Sequence, residues 1–439
     1  MTAKRLGVIA ATAIVVANMI GTGVFTSTGF QAIGLHDAGT ILVVWVVGGV
    51  LALCGAACYA ELGAMMPRVG GEYVYLREGL HPLVGVMSGW ASVLAGFSAP
   101  IAVSSMAFAK YTAAIWPSLA DPTSQQLLAI GLIVAMTVLH SFSTVLGGRV
   151  QTVFTAAKTL LIVTFILAGF TAGGGSTAHF ASQAGGLSNI WTAAFGISLM
   201  YVSFAYSGWN AAAYIAGEID RPEKSVPRAL LYGTGLVMLL YVLLNVLFIY
   251  ALPIDTLAHG DGGGPIVEVG DASARALFGP RAGQMLSTLI ALALVSSVSA
   301  MVMAGPRVYA AMAEDGALPK TLARRSHGGA PAWSVVVQGA LAIAITMTGR
   351  FDQIVRYVGF TLTIFAALTC IAMLVMRRTR PDMPRPFKTF GYPITPLVFI
   401  AGSIWIAYSQ IELYPTESLY GVGTLVFGVV AYFVSRSRR

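Results

Sequence analysis

Ile20-Gly21-Thr22-Gly23 lies near the centre of an apolar run from Leu6 to Phe30. Glycine costs roughly 1 kcal/mol against alanine inside a helix, so two of them around Thr22 mark a helix that breaks. Within a bilayer a break strands backbone N–H and C=O groups, which is tolerated only where they face protein, water or a ligand. The N-terminal end of a half-helix concentrates free amides and about half a positive charge, which suits a carboxylate. The C-terminal end does the reverse for an ammonium. A second stretch, Ser203 to Ala212 (SFAYSGWNAA), repeats the oddity, with Ser207-Gly208 set among aromatics. A site gripping both ends of a zwitterion would use both breaks. A third chemical residue is Lys158, deep in another apolar run, where a lysine costs several kcal/mol unless solvated or paired. It lies roughly 15 Å along a helix from Arg149, too far to snorkel to an interface.

The elements that must position these residues follow from composition. Of the 439 residues 56% are hydrophobic and 10% charged, and the mean hydropathy is +0.77, whereas soluble domains carry about 25% charged residues. The chain is an integral membrane protein in contact with the lipid bilayer. Runs of about 20 apolar residues mark spanning helices. Twelve are expected, at 6–30, 40–66, 83–115, 126–146, 148–172, 189–217, 227–251, 283–313, 332–349, 353–376, 394–411 and 419–435, the ninth and eleventh being short. The sixth is five crossings on from the first, so the two broken helices run in opposite directions. Interrupted helices in corresponding positions of two inverted halves point to a transporter's central site. The competing explanation is that membrane helices use glycine for close packing.

The net charge of +8 could suit nucleic acid, but its distribution says otherwise. With both termini inside, 20 of the 26 Lys and Arg fall on cytoplasmic segments, three (Arg275, Arg281, Arg350) on outer loops, and Lys110, Lys158 and Arg356 within spans. This is the positive-inside pattern, so the basic residues report topology and no nucleic-acid partner is expected. Lys4-Arg5 leads straight into the first span, which is too long for a signal-peptide core, so that span is expected to remain as an uncleaved helix. Cys54, Cys58 and Cys370 all lie in spans, and their odd number gives no disulfide framework. In the long outer connection, about 252–282, the stretch DTLAHGDGGGP precedes IVEVGDASARALF, which reads as a short helix on the membrane surface. The Pro-rich stretch 377–393 reads as a solvated loop. Lys110 and Arg356 sit near the outer ends of their spans and are expected to snorkel. Glu61, Glu72, Glu218 and Glu223 fall at inner ends or loops, where solvated or inner-gate ion pairs are expected rather than proton relays. A membrane enzyme would need clustered His, Asp or Glu facing a cavity, and the spans nearly lack Asp and Glu. No metal or cofactor is therefore called for. A channel would need polar rings or a filter loop, and none is visible.

Several stretches resemble the amino acid–polyamine–organocation superfamily, and within it the L-type amino acid transporters. NMIGTGVF is similar to that group's first-helix signature I-G-S-G-I-F. CYAELGAMMPRVGGEYVYL (58–76) resembles its second helix and first inner loop, and RVQTVFTAAKTLLIV (149–163) its fifth helix. FAYSGWNAAAYIAGEIDRPEKSVPRAL (204–230) resembles the sixth helix and the loop after it, and GPRVYAAMAEDGALPKTLA (305–323) the end of the eighth. The resemblance spans nearly the whole chain in order. It implies a LeuT-type fold of twelve transmembrane helices: five (6–172) repeated in inverted orientation (189–376), then two trailing helices (394–435). It also implies that the amides of Thr22 and Gly23, with Met19, Ile20 and Gly21 beside them, receive a substrate carboxylate. Carbonyls around Phe204, Ala205 and Ser207 would receive the ammonium, with Phe204 as an outer lid and Trp209 and Asn210 holding the sixth helix in shape. Lys158 would stand where sodium-dependent relatives bind sodium, bridging to Ser297 on the eighth helix.

Departures from the pattern matter too. Animal members that pair with a single-span glycoprotein use a cysteine in the outer loop between helices three and four, and WPSLADPTSQ has none here. A disulfide-linked ancillary chain is therefore not expected, and the short tails look prokaryotic, implying a bacterial inner membrane. Ser207 replaces a residue that is often Gly in large-substrate members, which leans towards small or medium neutral amino acids. The expected function is sodium-independent exchange of L-amino acids by alternating access. The alternative is a proton-coupled amino acid or amine symporter.

Overall fold

The computed structural model describes residues 6–142, 144–181, 186–260, 263–326 and 331–437, with the backbone alone for 144–154, 186, 187 and 437. The Lys4-Arg5 tail, the Arg149 side chain and the Asp261-Gly262 part of the outer connection lie outside these. Among the described residues regular structure is helical, apart from one parallel bridge between Leu6 and Ile219.

The first expected span is two helices, α1 (Val8–Met19) and α2 (Gly23–Leu35). α3 (Ala38–Met65) starts where the Asp37 carboxylate accepts from the amide and the hydroxyl of Thr40, both at 2.8 Å, an N-cap that satisfies an otherwise orphaned donor. A short helix, α4 (Glu72–Gly79), precedes α5 (Pro82–Ala91), which runs through a π-helical turn at Ser92–Ser98 into α6 (Ala99–Ile115). In that turn the Val93 carbonyl accepts from Ser98 Oγ at 2.7 Å and Tyr309 Oη at 3.0 Å. Then come α7 (Pro122–Phe142), α8 (Thr144–Ala172), α9 (Ala193–Tyr206) and the one-turn α10 (Ala211–Tyr214). The remainder is α11 (Pro222–Ala251), α12 (Ile254–Ala258), α13 (Val269–Phe278), α14 (Pro280–Glu314), α15 (Ala332–Thr348), α16 (Phe351–Thr379), α17 (Ile394–Leu413) and α18 (Pro415–Ser437).

Among the described residues ten segments, α1 with α2 and α5 with α6 each counted as one, are long and apolar enough to cross a membrane, while α9 and α15 are apolar but shorter. α1, α3 and α11 pack together, and α2 and α3 pack on α9. Thr28 on α2 donates to Asn245 on α11 at 2.7 Å, and Trp45 on α3 donates to Gln31 on α2 at 2.9 Å. Around them α6, α7, α14 and α15 form a second packed group.

Two loop expectations need correction. The helix foreseen on the membrane surface, α13, is packed into the protein: Val269, Gly270, Asp271, Ser273 and Ala274 are buried. Its Asp271 accepts from Arg275 at 2.5 Å and from Ser287 at 2.6 Å. The Pro-rich stretch after α16 is anchored rather than freely solvated. Glu61, fully buried near the end of α3, takes Arg377 through two bonds at 2.8 and 2.5 Å and the Thr389 amide at 2.8 Å, with Arg385 at 3.5 Å. The loop is held because its cations and amide supply what a buried carboxylate needs.

Removing one partner of such a buried pair leaves the others uncompensated, at a cost of about 3–5 kcal/mol. Glu61→Ala should lower the melting temperature of the purified protein by several degrees, while Glu412→Ala, exposed at the far end of α17, should leave it unchanged. Equal melting of the two variants would remove the anchoring role.

Candidate functional site at the two helix breaks

At the first break the two helix ends are treated unequally. Three carbonyls at the C-terminal end of α1 and just past it, those of Ala17, Met19 and Ile20, are taken by side chains. Buried Lys158 on α8 donates through Nζ to Ala17 O at 2.6 Å and Ile20 O at 2.8 Å and lies 3.4 Å from Ser297 Oγ. Ser297 on α14 reaches Ile20 O at 3.0 Å and Ala293 O at 3.2 Å, its single proton serving one of them at a time. Tyr241 on α11 donates to Met19 O at 2.6 Å. On the other side of the break, the amides of Thr22, Gly23 and Val24 have no protein acceptor among the described residues. A helix N-terminus with three open amides keeps its partial positive charge unanswered, so this end of α2 is built for an anion.

At the second break α9 ends at Tyr206. Ser207 turns extended, Gly208 adopts φ +94°, and α10 follows. Gly208 is required twice over: by that left-handed conformation, and because a Cβ there would lie 2.8 Å from the Asn18 carbonyl group. The Ser207 amide returns to Phe204 O at 3.0 Å, while the carbonyls of Ala205 and Tyr206 accept nothing among the described residues. Free amides on α2 thus stand against free carbonyls on α9.

The two breaks touch. A Cβ at Gly23 would sit 2.3 Å from Ala205 Cα, whereas at Gly21 it would meet nothing closer than Met19 O at 3.9 Å. Glycine at 23 is required by helix packing against α9, and position 21 has room for a methyl group.

Two cavities flank the contact. One of about 160 Å³ lies towards the face carrying Leu6, Glu218 and Arg307 and is lined by Asn18, Ser207, Trp209 and Asn210. The other, about 970 Å³, lies on the side of Phe30, Tyr201 and Arg350. Met19, Ile20, Gly21, Thr22, Gly23, Phe204 and Ala205 line neither of these two cavities, and all but Gly21 are buried. Phe204 is buried, and an aromatic stack of Phe30 on Tyr201, at 5.3 Å between centroids, lies against the larger cavity. Beyond the break, Trp209 packs edge-on against Tyr59 at 4.7 Å, and Asn210 donates to Glu72 at 3.1 Å.

Arg356 does not snorkel. It is buried, donates to Asp352 at 2.6 Å, Glu417 at 3.1 Å and the Tyr201 hydroxyl at 3.3 Å, and stacks on the Tyr414 ring. Two carboxylates hold it inside. Lys110 is half-buried on the wall of the larger cavity. Near the opposite face Glu218 pairs with Arg307 at 3.0 Å. Tyr241, Tyr59 and the Glu72–Asn210 bond were not foreseen. Their signal was faint: single polar groups in apolar or aromatic company.

Overpacking a tight contact costs about 1–3 kcal/mol. Gly23→Ala should therefore lower thermal stability measurably, and Gly21→Ala should melt close to the wild-type protein. A Gly23→Ala protein of undiminished stability would mean that α2 and α9 can separate freely.

A protein-family model described as amino acid permease matches residues 6–434. The b(0,+)-type amino acid transporter 1 of Mus musculus is 29% identical over 438 residues, covering 98% of this chain and 88% of that protein. Its Homo sapiens counterpart is also 29% identical, with the same coverage of both chains. The large neutral amino acids transporter small subunit 2 of Mus musculus is 28% identical over 441 residues, 98% of this chain and 81% of that protein. With open helix ends facing each other between two cavities, and with that match along nearly its whole length, the chain belongs to the amino acid permease family.

Proposed function

We propose that the protein is a secondary transporter of L-amino acids, small or medium and neutral, working by sodium-independent exchange. The observation that carries this reading is the inequality at the first break. The carbonyls of Ala17, Met19 and Ile20 have donors there, from Lys158, Ser297 or Tyr241, while three amides at the start of α2 remain open among the described residues. The carboxylate of the substrate completes them, and its ammonium takes the free carbonyls of α9 near Phe204, Ala205 and Ser207. Phe204 closes over the site from the outer side, while Trp209 and Asn210 hold the bent segment. The relatives are named for amino acids and for large neutral amino acids. The serine at 207, in a place where glycine leaves more room, favours smaller side chains.

Alternating access follows from the layout. The closed contact of Gly23 with Ala205 lies between two cavities on opposite faces, and exchange proceeds as each opens to it in turn. The first and second repeats, 6–172 and 189–376, supply one broken helix each, and the first, second, sixth and seventh spans (α1 with α2, α3, α9 with α10, and α11) rock against the rest. The Lys158 ammonium sits where a sodium ion would be needed to bind the α1 carbonyls, which makes sodium dispensable. The positive-inside bias puts both termini in the cytoplasm and the larger cavity outside, in a plasma membrane, here a bacterial inner membrane. The chain needs no disulfide-linked companion, because Cys54, Cys58 and Cys370 are all within helices.

Two outcomes are expected. Alanine should stabilise the purified protein against heat while its methyl ester and propionate do not, since each lacks one partner of a charged hydrogen bond, typically about 1.5–3 kcal/mol. Equal stabilisation by all three is incompatible with a zwitterion site. Proteoliposome uptake should be stimulated by amino acid preloaded inside and be indifferent to replacing sodium with choline. Lys158→Ala should lower apparent affinity by about tenfold or more, a loss of the order of one charged hydrogen bond. Sodium-dependent uptake, or wild-type exchange by Lys158→Ala, would leave the lysine with a packing role only.

A further inference from the structure

We propose that Glu72 is a proton-binding carboxyl of the inner gate, which gives its proton to cytoplasmic water when the gate opens and recovers it from the same side on closing. This rests on the transport reading above. It makes exchange sensitive to cytoplasmic pH without moving a proton across the membrane.

Glu72 opens α4, outside the spans, and is 4% exposed. Its Oε1 accepts from the Tyr59 hydroxyl on α3 and from Asn210 Nδ2 at 3.1 Å, within the segment between α9 and α10. The carboxyl therefore ties the second break to the loop helix that covers the cytoplasmic face. The attachment is reinforced next to it, where the Gly70 amide donates to Tyr214 O at 3.1 Å. Further along α4, Arg77 and Tyr73 both reach Asp315 at the end of α14.

Glu72 lacks the cation that Glu61, Glu417 and Asp271 each have, and Asp37, also buried, is instead held by the Thr40 amide and hydroxyl at the N-cap of α3. Glu61 has Arg377 and Arg385, Glu417 has Arg356, and Asp271 has Arg275. The titratable groups facing Glu72 are the phenols of Tyr59 on α3, Tyr75 on its own helix and Tyr214 on α10, and the thiol of Cys370 on α16. The packed segment of α5 carries no acidic or basic side chain. No cation stands among these groups in the described residues. Yet Glu72 borders the smaller cavity, whose walls run on to Glu218 and Arg307 at the cytoplasmic face.

Burial without a counter-charge favours the neutral acid. It pushes the Glu72 carboxyl up to about 7, against the pull of the hydrogen bonds from Tyr59 and Asn210. Opening the gate admits water to the same carboxyl, and hydration restores the charged form. The closed state thus binds the proton more tightly than the open state. By linkage, acid on the cytoplasmic side holds the gate shut and alkali releases it.

The sign for stability follows the same logic. Glu72 in the folded protein titrates above its unfolded value, so stability on its account is present at low pH and lost as pH rises through about 7. In the purified full-length protein, the melting temperature of wild type relative to Glu72→Gln should fall between pH 5.5 and 8.5. In cells with the outer pH fixed and the inner pH clamped, wild-type exchange should fall at least about threefold from inner pH 8 to 6. The ceiling is about tenfold, for a carboxyl whose ionised fraction drops from about 0.9 to about 0.1. Glu72→Gln should be flat, and Glu72→Asp should keep the dependence with a displaced midpoint. Superimposable profiles of wild type and Glu72→Gln overturn the proposal. If the Gln protein does not fold, an Asp profile identical in midpoint to wild type overturns it equally. Absence of saturable uptake at every pH, with the melting difference intact, would instead defeat the transport reading and leave proton binding standing.

Discussion

The arrangement depends on one ammonium group. Lys158 closes two of the carbonyls that the break in α1 leaves open, at 2.6 and 2.8 Å. A buried lysine without acceptors and a broken helix without donors would each be costly in a bilayer, and together they satisfy one another. The same contact fixes geometry. Because Lys158 belongs to α8 and Ser297 to α14, the end of α1 is pinned to two helices of different packing partners. With the Ala17, Met19 and Ile20 carbonyls met, the amides of Thr22, Gly23 and Val24 stay open among the described residues. Tyr241 finishes the job from α11.

Much of this was legible in sequence. Gly21 and Gly23 in one apolar run and Ser207-Gly208 in another located the two breaks, and Lys158 declared itself by depth. Ser297 was reached only through the family resemblance. What escaped was what helix packing decides. No periodicity tells that Gly23 faces the backbone of Ala205 while Gly21 faces open space, because that depends on the angle at which α2 meets α9. Arg356 lay near the end of a span and looked able to reach water. Asp352 one turn before it and Glu417 from another helix hold it inside instead. Glu61 and Glu72 were both read as solvated or ion-paired. Glu61 is ion-paired but buried, and Glu72 is neither solvated nor paired with a cation. Pairing across distant segments sets such outcomes, and a single chain of letters does not carry it.

The site also illustrates how a nearly uncharged interior can be specific. Its working parts are main-chain groups, oriented by a few side chains that carry the polarity: one lysine, one serine and one tyrosine around α1. Main-chain groups are indifferent to a ligand's side chain by construction, so on the proposed reading selectivity falls to the residues beside them.

The π-helical turn at Ser92–Ser98 has a consequence of its own. A π turn holds one residue more than the α-helical path it replaces, so the two parts of the α5–α6 rod are out of phase by about 100° of rotation. Tyr111, near the far end of α6, donates its hydroxyl to Phe25 O on α2 at 3.1 Å. With the extra residue in place, that bond ties the far part of the rod to α2. Loss of a single amino acid anywhere in the turn would straighten the rod, swing Tyr111 off α2 and turn a different stripe of α6 towards α14. Substitutions there are local matters of volume, but the count of residues is not: in this helix length acts as an angular coordinate.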